Sequence, residues 1–539
     1  MTGIGKKRPV FQMRIVYGHS VIRFIFNDWN SGFTKFTNML PVLNKSYVLN
    51  HPELGVTESH LNYPEKILQF GTGVLLRGLV DYLVDNANKA GIFEGRIVVV
   101  KSTEGDTAVF DQQDNLYTTS IKGVAQGELV NKTLVNASIS RILQSNADWE
   151  AILKSVHQPA LQIIVSNTTE VGIQYVEEPI GGVPASFPGK LLAVLWERYQ
   201  CFKGASHTGF VIVPTELVVN NGNLLKEIVL KLARYNKLPA TFLQWLEKEN
   251  RFCNSLVDRI VPGKPKELTT LQEKAGYTDE LWIDAEPFLL WAIEGDERIR
   301  QTLGFHQADA RMLITPDITP YREQKLRILN GSHTISVPLG FLSGLNTVFE
   351  CMENAGMRSF FRTVIMEEIL PTIKEICPQA AVFAEDVQDR FANPYIAHKL
   401  LSITFQESMK MDARNVKTFS RYYEQQQALP ASMCLGFAAM LLFLRPAKQE
   451  KGQYFGKRGD EYYPITDDKI EIFATYWSDV TGKEDSAIPE MVQAISADKR
   501  LWEVDLSLLP GFVETVAAHL QGMLQDGVKA YAGSYSKVL

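Results

Sequence analysis

The stretch YREQKLRILNGSHTISVPLGF, residues 321–341, sets Lys325, Asn330 and His333 just ahead of an apolar run. Reduction of a ketone by hydride builds charge on oxygen, so a site for it needs a proton donor and hydrogen-bond donors at that atom. Lys325 fills the first role if burial or neighbouring cations bring its pKa towards neutrality. The Asn330 amide can donate to the developing oxyanion, and His333 can orient Lys325 or hold a substrate hydroxyl. On a single α-helix, about 100° per residue places the three within an arc of about 140° and along about 12 Å of axis. That length suits an extended six-carbon chain. Gly331 is costly in a helix, by about 1 kcal/mol relative to alanine, which makes sense if something packs tightly against the backbone. The competing reading is a solvated lysine, an Asn-Gly turn and a core histidine. No metal is required, because none of the nine histidines has metal-ligand spacing.

The elements that must position these groups follow two patterns. From residue 65, KILQFGTG reads as a short strand ending in glycines, and VLLRGLVDYLVDNANKAG as a helix stopped by glycine. GRIVVVKST, LQIIVSNTTE and GFVIVPTE are further buried strands, so strands alternate with helices as in a parallel α/β sheet. Beyond about residue 310 strands nearly vanish, and SFFRTVIMEEILPTIKEI, NPYIAHKLLSITFQES and SMCLGFAAMLLFLR read as helices. The expected organisation is therefore an irregular extension over 1–60, a Rossmann-like domain over 61–310 and a mainly helical domain over 311–539. Met39 is a candidate start of translation. The Lys325 stretch falls at the junction, a common place for a ligand.

Gly71 and Gly73 stand at a strand-to-helix turn, where glycine lets a dinucleotide pyrophosphate approach backbone N–H groups. The full fingerprint wants a small residue at 76, which is Leu76, and an acid after the second strand, where Lys101 and Ser102 stand. Glu104 is the nearest carboxylate. Lys101 suits the extra phosphate of NADP, so spacing leaves NAD and NADP both open, and a plain sharp turn as well.

A length of 539 residues exceeds one ordinary core, and 45% hydrophobic with 22% charged residues is the composition of a soluble globular protein. A net charge of -6 offers no general attraction for nucleic acid or acidic lipid, so an anionic substrate needs a local cationic cluster. Five widely spaced cysteines read as reduced thiols in the cytoplasm. The longest apolar run, residues 431–444, is too short for a membrane span, and SVIRFIF is a poor signal peptide.

Lys-x4-Asn-x2-His at Lys325, Asn330 and His333 resembles the signature of the polyol-specific long-chain dehydrogenases, the mannitol dehydrogenase family. The likeness runs from residue 61 to the C-terminus through QFGTGVLLRG, DNLYTT, SNTTEVGI, LVDRIVPG, AEPFLLWAIEG, KLRILNGSHT, RFANPYIAHKLLSI and SMK. It implies NAD-linked oxidoreduction of a small sugar-derived substrate, with Lys325 as acid/base, Asn330 at the oxyanion and His333 at the substrate. It also implies a further active-site lysine at Lys410, a cofactor turn at Gly71, Gly73 and Arg77, and Asn167 and Thr168 on the nicotinamide side. Thr215-Glu216-Leu217 replaces Cys-Asp-Asn of the mannitol enzymes, so Leu217 stands where a second oxyanion asparagine would, and this points to the family's hexuronate branch. Val74 and Leu75 replace the usual Asn-Phe pair. A hexuronate carboxylate would meet Arg77, Arg390, His398 or Lys410, with His398 the expected selector. Monomers or small homo-oligomers are the expected assemblies. Other readings are sibling family activities such as a fructuronate reductase or a mannitol or arabinitol dehydrogenase, a non-catalytic dinucleotide sensor, or an interaction module built on the helical half.

Overall fold

The computed structural model describes residues 40–535 apart from 104, 169–171, 481 and 483. Met39 and Glu104 lie outside the described residues. Six parallel strands form the main sheet: β1 (Glu65–Phe70), β2 (Arg96–Lys101), β5 (Ile139–Gln144), β6 (Ile163–Ser166), β7 (Val211–Pro214) and β8 (Arg251–Phe252). Their spatial order is β5-β2-β1-β6-β7-β8, the 3-2-1-4-5-6 pattern of a doubly wound dinucleotide fold once an inserted hairpin is set aside. Alternation explains why the middles of β1, β2 and β6 are apolar on both faces. Ile67, Ile97 and Ile163 face one layer of core, and Leu68, Val98 and Ile164 face the other.

The inserted hairpin joins β3 (Tyr117–Ala125) and β4 (Glu128–Asn136) through Gln126 and Gly127, both with positive φ, as a two-residue hairpin turn requires. It pairs with β10 (Ile283–Ala285). A third sheet sets β9 (Ser255–Asp258) antiparallel and β12 (Met312–Thr315) parallel to β11 (Leu290–Glu294). From residue 40, short helices pack Leu43, Val48, Val56 and Leu61 against Tyr277 and Trp282.

The remainder is helical and holds its own core around the buried helix Ala431–Phe443. Two expectations need correction here. NPYIAHKLLSITFQES is mostly turns around one short helix, Leu400–Ile403, and reaches the start of a second, Glu407–Met411, because Pro394 interrupts the ladder. A three-stranded antiparallel sheet over Lys448–Glu450, Gln453–Arg458 and Glu461–Ile465 also stands inside the helical half. Three π-helical segments occur among the described residues, Lys325–Gly331, Val364–Ile369 and Asp412–Val416. Two of them meet at the site.

Candidate active site

Lys325 and Asn330 do not lie on a plain α-helix. After the turn Thr319–Gln324 the backbone widens into the π segment Lys325–Gly331, and regular α-helix resumes at Ser332–Leu342. In α geometry residues five apart would point about 140° away from each other. The i→i+5 pattern of a π turn draws them towards one face. Both line one cleft of about 210 Å³, together with Glu216, Leu217, Ser255 and Leu256. Among the described residues the Asn330 amide has no protein partner, so its N–H groups remain available to a ligand.

The packing that holds this π turn open is specific. Asn415, on the π segment Asp412–Val416, donates to the Gly331 carbonyl at 3.2 Å. A Cβ at Gly331 would stand 3.1 Å from Asn415 Oδ1, so the glycine answers a close approach rather than a turn. Arg327 ties the same two segments by donating to the carbonyls of Ala413 and Arg414, at 3.0 and 2.8 Å.

Lys325 Nζ donates to the Val257 carbonyl at 2.9 Å and lies 3.7 Å from Asp258 Oδ1. Asp258 ends β9 and is buried. Burial pushes its carboxyl up, but Arg390 and Lys325 outweigh that and hold it below the ordinary range. Arg390 donates to both Asp258 oxygens, at 2.7 and 3.0 Å, and to both Glu286 oxygens, at 3.0 and 2.9 Å. Lys325, Asp258, Arg390 and Glu286 thus form a balanced chain of two cations and two anions.

The cleft opens at the carboxyl edge of the main sheet, where doubly wound folds place ligands. Gly71 follows β1 at φ +127, and a Cβ there would come within 2.9 Å of the Asn167 carbonyl. A Cβ on Gly73, the residue before helix α1 (Val74–Lys89), would meet nothing within 4 Å. With no acid in the first turn of α1, this open, amide-edged space fits a dinucleotide diphosphate. Leu76 is fully buried and packs on Gly71, while Gly78 gives the close helix packing usual of a third glycine, with Val261 2.8 Å from the site of its Cβ. Asn167 donates to Thr215 Oγ1 at 2.9 Å, and Thr168 donates twice to Glu216 Oε1, from its N–H at 2.9 Å and its hydroxyl at 3.0 Å. Lys101 Nζ donates to the carbonyls of Thr103 and Gly105, at 2.8 and 3.0 Å, which commits the ammonium that sequence offered to an NADP phosphate.

The mannitol dehydrogenase Rossmann domain matches residues 65–306, and the mannitol dehydrogenase C-terminal domain matches 317–524. The altronate oxidoreductase of Halalkalibacterium halodurans is 38% identical over 474 residues, spanning 86% of this chain and 92% of its own. The chain belongs to the mannitol dehydrogenase family. The altronate oxidoreductase of Bacillus subtilis is 37% identical over 486 residues, covering 89% of this chain and 97% of its own. Among solved structures, a Pseudomonas fluorescens mannitol 2-dehydrogenase ternary complex with NAD and D-mannitol superposes with TM-score 0.62 at 22% identity, covering 92% of this chain and 99% of that one. A substrate-free D-sorbitol dehydrogenase does so with TM-score 0.71 at 20% identity, covering 91% and 100%.

Family membership sharpens where this chain puts its expected site residues. His333 lies in a small recess with Arg390 and His398, beside the lysine cleft rather than within its lining. It stacks on Phe391 with ring centroids 4.1 Å apart, and His398 meets it edge-on at 5.3 Å. Burial above all, then His398, Arg390, Arg414 and Lys410, lowers its pKa well below the ordinary value, so the ring is neutral at pH 7, with a buried Nε2 lacking any protein partner among the described residues. Arg390 as a carboxylate binder needs correction, because four of its five N–H donors are spent on Asp258 and Glu286. His398 as a cationic selector needs it too. Burial and then Arg390 lower its pKa, leaving it a neutral donor or acceptor. Arg77 turns inwards, donating to the Leu281 carbonyl at 2.7 Å and lying over the Tyr117 ring. Lys410 Nζ donates to the Ile403 carbonyl at 2.8 Å, within electrostatic range of His333. Sequence reasoning passed over Asp258, Glu286 and Arg414. The available signal for the first was an acid set among apolar strand residues in LVDRIV.

Proposed function

We propose that the chain interconverts altronate and its keto form, tagaturonate, by hydride transfer with NAD(H), with Lys325 as the general acid and base. The observation that carries this reading is the facing pair Lys325 and Asn330 in one cleft at the carboxyl edge of the sheet. NAD held there would supply the hydride acceptor for alcohol oxidation and, in its reduced form, the hydride donor for ketone reduction. Gly71, Gly73 and the N-terminus of α1 would hold the diphosphate, and Asn167 and Thr168 would border the nicotinamide end. In ketone reduction Lys325 gives its Nζ proton to the new alkoxide, and in alcohol oxidation the neutral amine takes the hydroxyl proton. Asn330 donates its amide to the same oxygen, where charge develops. The Val257 carbonyl and Asp258 fix the lysine end, and Arg390 with Glu286 fixes Asp258. His333, neutral and orphaned at Nε2, is free to bond a substrate hydroxyl.

The altronate oxidoreductases above, similar over almost their full length, support the substrate assignment. Five unpaired thiols support a reducing, cytoplasmic setting, and no helix among the described residues is long and apolar enough to cross a membrane. The test is a substrate panel followed at the NADH absorbance band, with tagaturonate, fructuronate and fructose and NADPH controls. Oxidation of NADH with tagaturonate is expected. Turnover of fructose without either keto-acid would move the chain to a polyol activity of the same family.

A further inference from the structure

A hexuronate carries its carboxylate at the far end of the carbon chain from the reacting alcohol, so the site needs a cation beyond Lys325 and Asn330. The cations around His333 are not equally available. Arg390 is neutralised by Asp258 and Glu286, and His398 is held uncharged. Arg414 and Lys410 remain, and both act electrostatically on His333. Arg414 is placed by the π-to-π contact itself, since its backbone carbonyl lies 3.6 Å from the site of a Gly331 Cβ. Its side chain then runs along the reactive helix, donating from Nη1 to Thr334 Oγ1 at 3.0 Å. That single bond leaves most of a half-buried guanidinium fork unspent among the described residues.

The nearby acids do not cancel this charge. Glu407 is fully buried, with both carboxylate oxygens lacking a protein partner among the described residues. Burial pushes its pKa up to about 8 against the pull of Lys410 and Arg414, so it is mostly protonated at pH 7. Asp467 is held by the Ser408 N–H and hydroxyl, at 2.7 and 2.6 Å, and its charge bears on Lys410 rather than on Arg414.

We infer that Arg414, seconded by Lys410, is the group that recognises the substrate carboxylate and so separates sugar acids from uncharged ketoses and polyols. The inference rests on the altronate–tagaturonate reading above and adds a specificity-determining residue to it. A planar guanidinium fork binds a carboxylate with two parallel hydrogen bonds, and a neutral polyol offers it no such partner.

The test compares Arg414→Gln and Arg414→Lys with the unsubstituted protein. Turnover is measured with tagaturonate and with fructose. Binding is measured separately, as protection against thermal unfolding in the presence of NAD by altronate and by the uncharged hexitol altritol. For Arg414→Gln, KM for tagaturonate is expected to rise about 10- to 100-fold, the loss of one or two charge-assisted bonds, and protection by altronate to fall with it. The change with fructose or altritol should be at least about tenfold smaller. Arg414→Lys should recover part of the loss, because it restores charge without the fork. Equal losses for charged and uncharged partners, or no loss for either, would overturn the inference while leaving the activity standing. If the unsubstituted protein neither reduces tagaturonate nor is protected by altronate, the activity itself falls, and the inference with it.

Discussion

In the α/β half the proposed site residues follow the ends of regular strands, where Gly71, Asn167 and Thr215 come directly after the paired last residues of β1, β6 and β7. In the helical half Lys325, Asn330 and Arg414 are placed by irregularity, two π turns pressed together at Gly331 and Asn415. The first half builds a general cradle from geometry that many sequences reach. The second turns side chains five apart onto one face, which a regular helix cannot do. The proposed cofactor site therefore rests on the regular region, and the proposed substrate chemistry on the irregular one.

Arg390 bolts the two regions together, since it leaves the helical half to grip Asp258 and Glu286 of the other. Arg390→Met should lower stability by about 3–5 kcal/mol, the cost of stranding buried carboxylates, read from urea unfolding. An unchanged midpoint would show the halves are held by other contacts.

Glu407 offers a pH test confined to the helical side. Its folded pKa of about 8 lies above its ordinary 4.5, so the folded state keeps a proton that the unfolded chain releases between those values. Stability falls as pH rises through that window. Glu407→Gln removes the penalty, and its gain should grow from pH 5 to 8 and reach on the order of 3 kcal/mol at pH 7. A constant difference at all pH values would deny the shift.

The two glycines sharpen the contrast most directly. Gly71→Ala forces a side chain into a positive-φ turn against the Asn167 carbonyl, costing about 1–3 kcal/mol and weakening NADH binding in fluorescence titration. Gly331→Ala has ordinary helical dihedrals and gains intrinsic helix propensity, so its melting temperature should barely move. It pushes Asn415 and the π turn apart by a few tenths of an ångström, and kcat should fall on the order of tenfold with NADH binding retained. Equal effects of the two substitutions on NADH affinity would erase the division of labour.

The same contrast explains what could be read from the chain itself. Buried β-branched runs and the glycine turn announced the main sheet, because strand burial and backbone clearance leave direct marks on residue type. The hairpin at Gln126-Gly127 was missed, since its strand β4 is largely exposed and mixes charged with apolar residues. Lys325, Asn330 and His333 stand out by type and spacing, but the π turn does not, as a widened turn has no periodic signature. It also set His333 in a recess of its own. Arg390 looked like a free cation because its partners, Asp258 and Glu286, are 132 and 104 residues away. Arg414 went unnoticed for the converse reason, as only the fold brings it against Gly331.

The central claim concerns the proton carried by Lys325. Single-turnover reduction of tagaturonate by NADH, in the unsubstituted chain and in Lys325→Met, tests it, with NADH affinity measured on the same samples. The rate should drop by about 10²–10⁴ while NADH still binds. A Lys325→Met protein that binds NADH and keeps its rate within a few-fold would contradict the account.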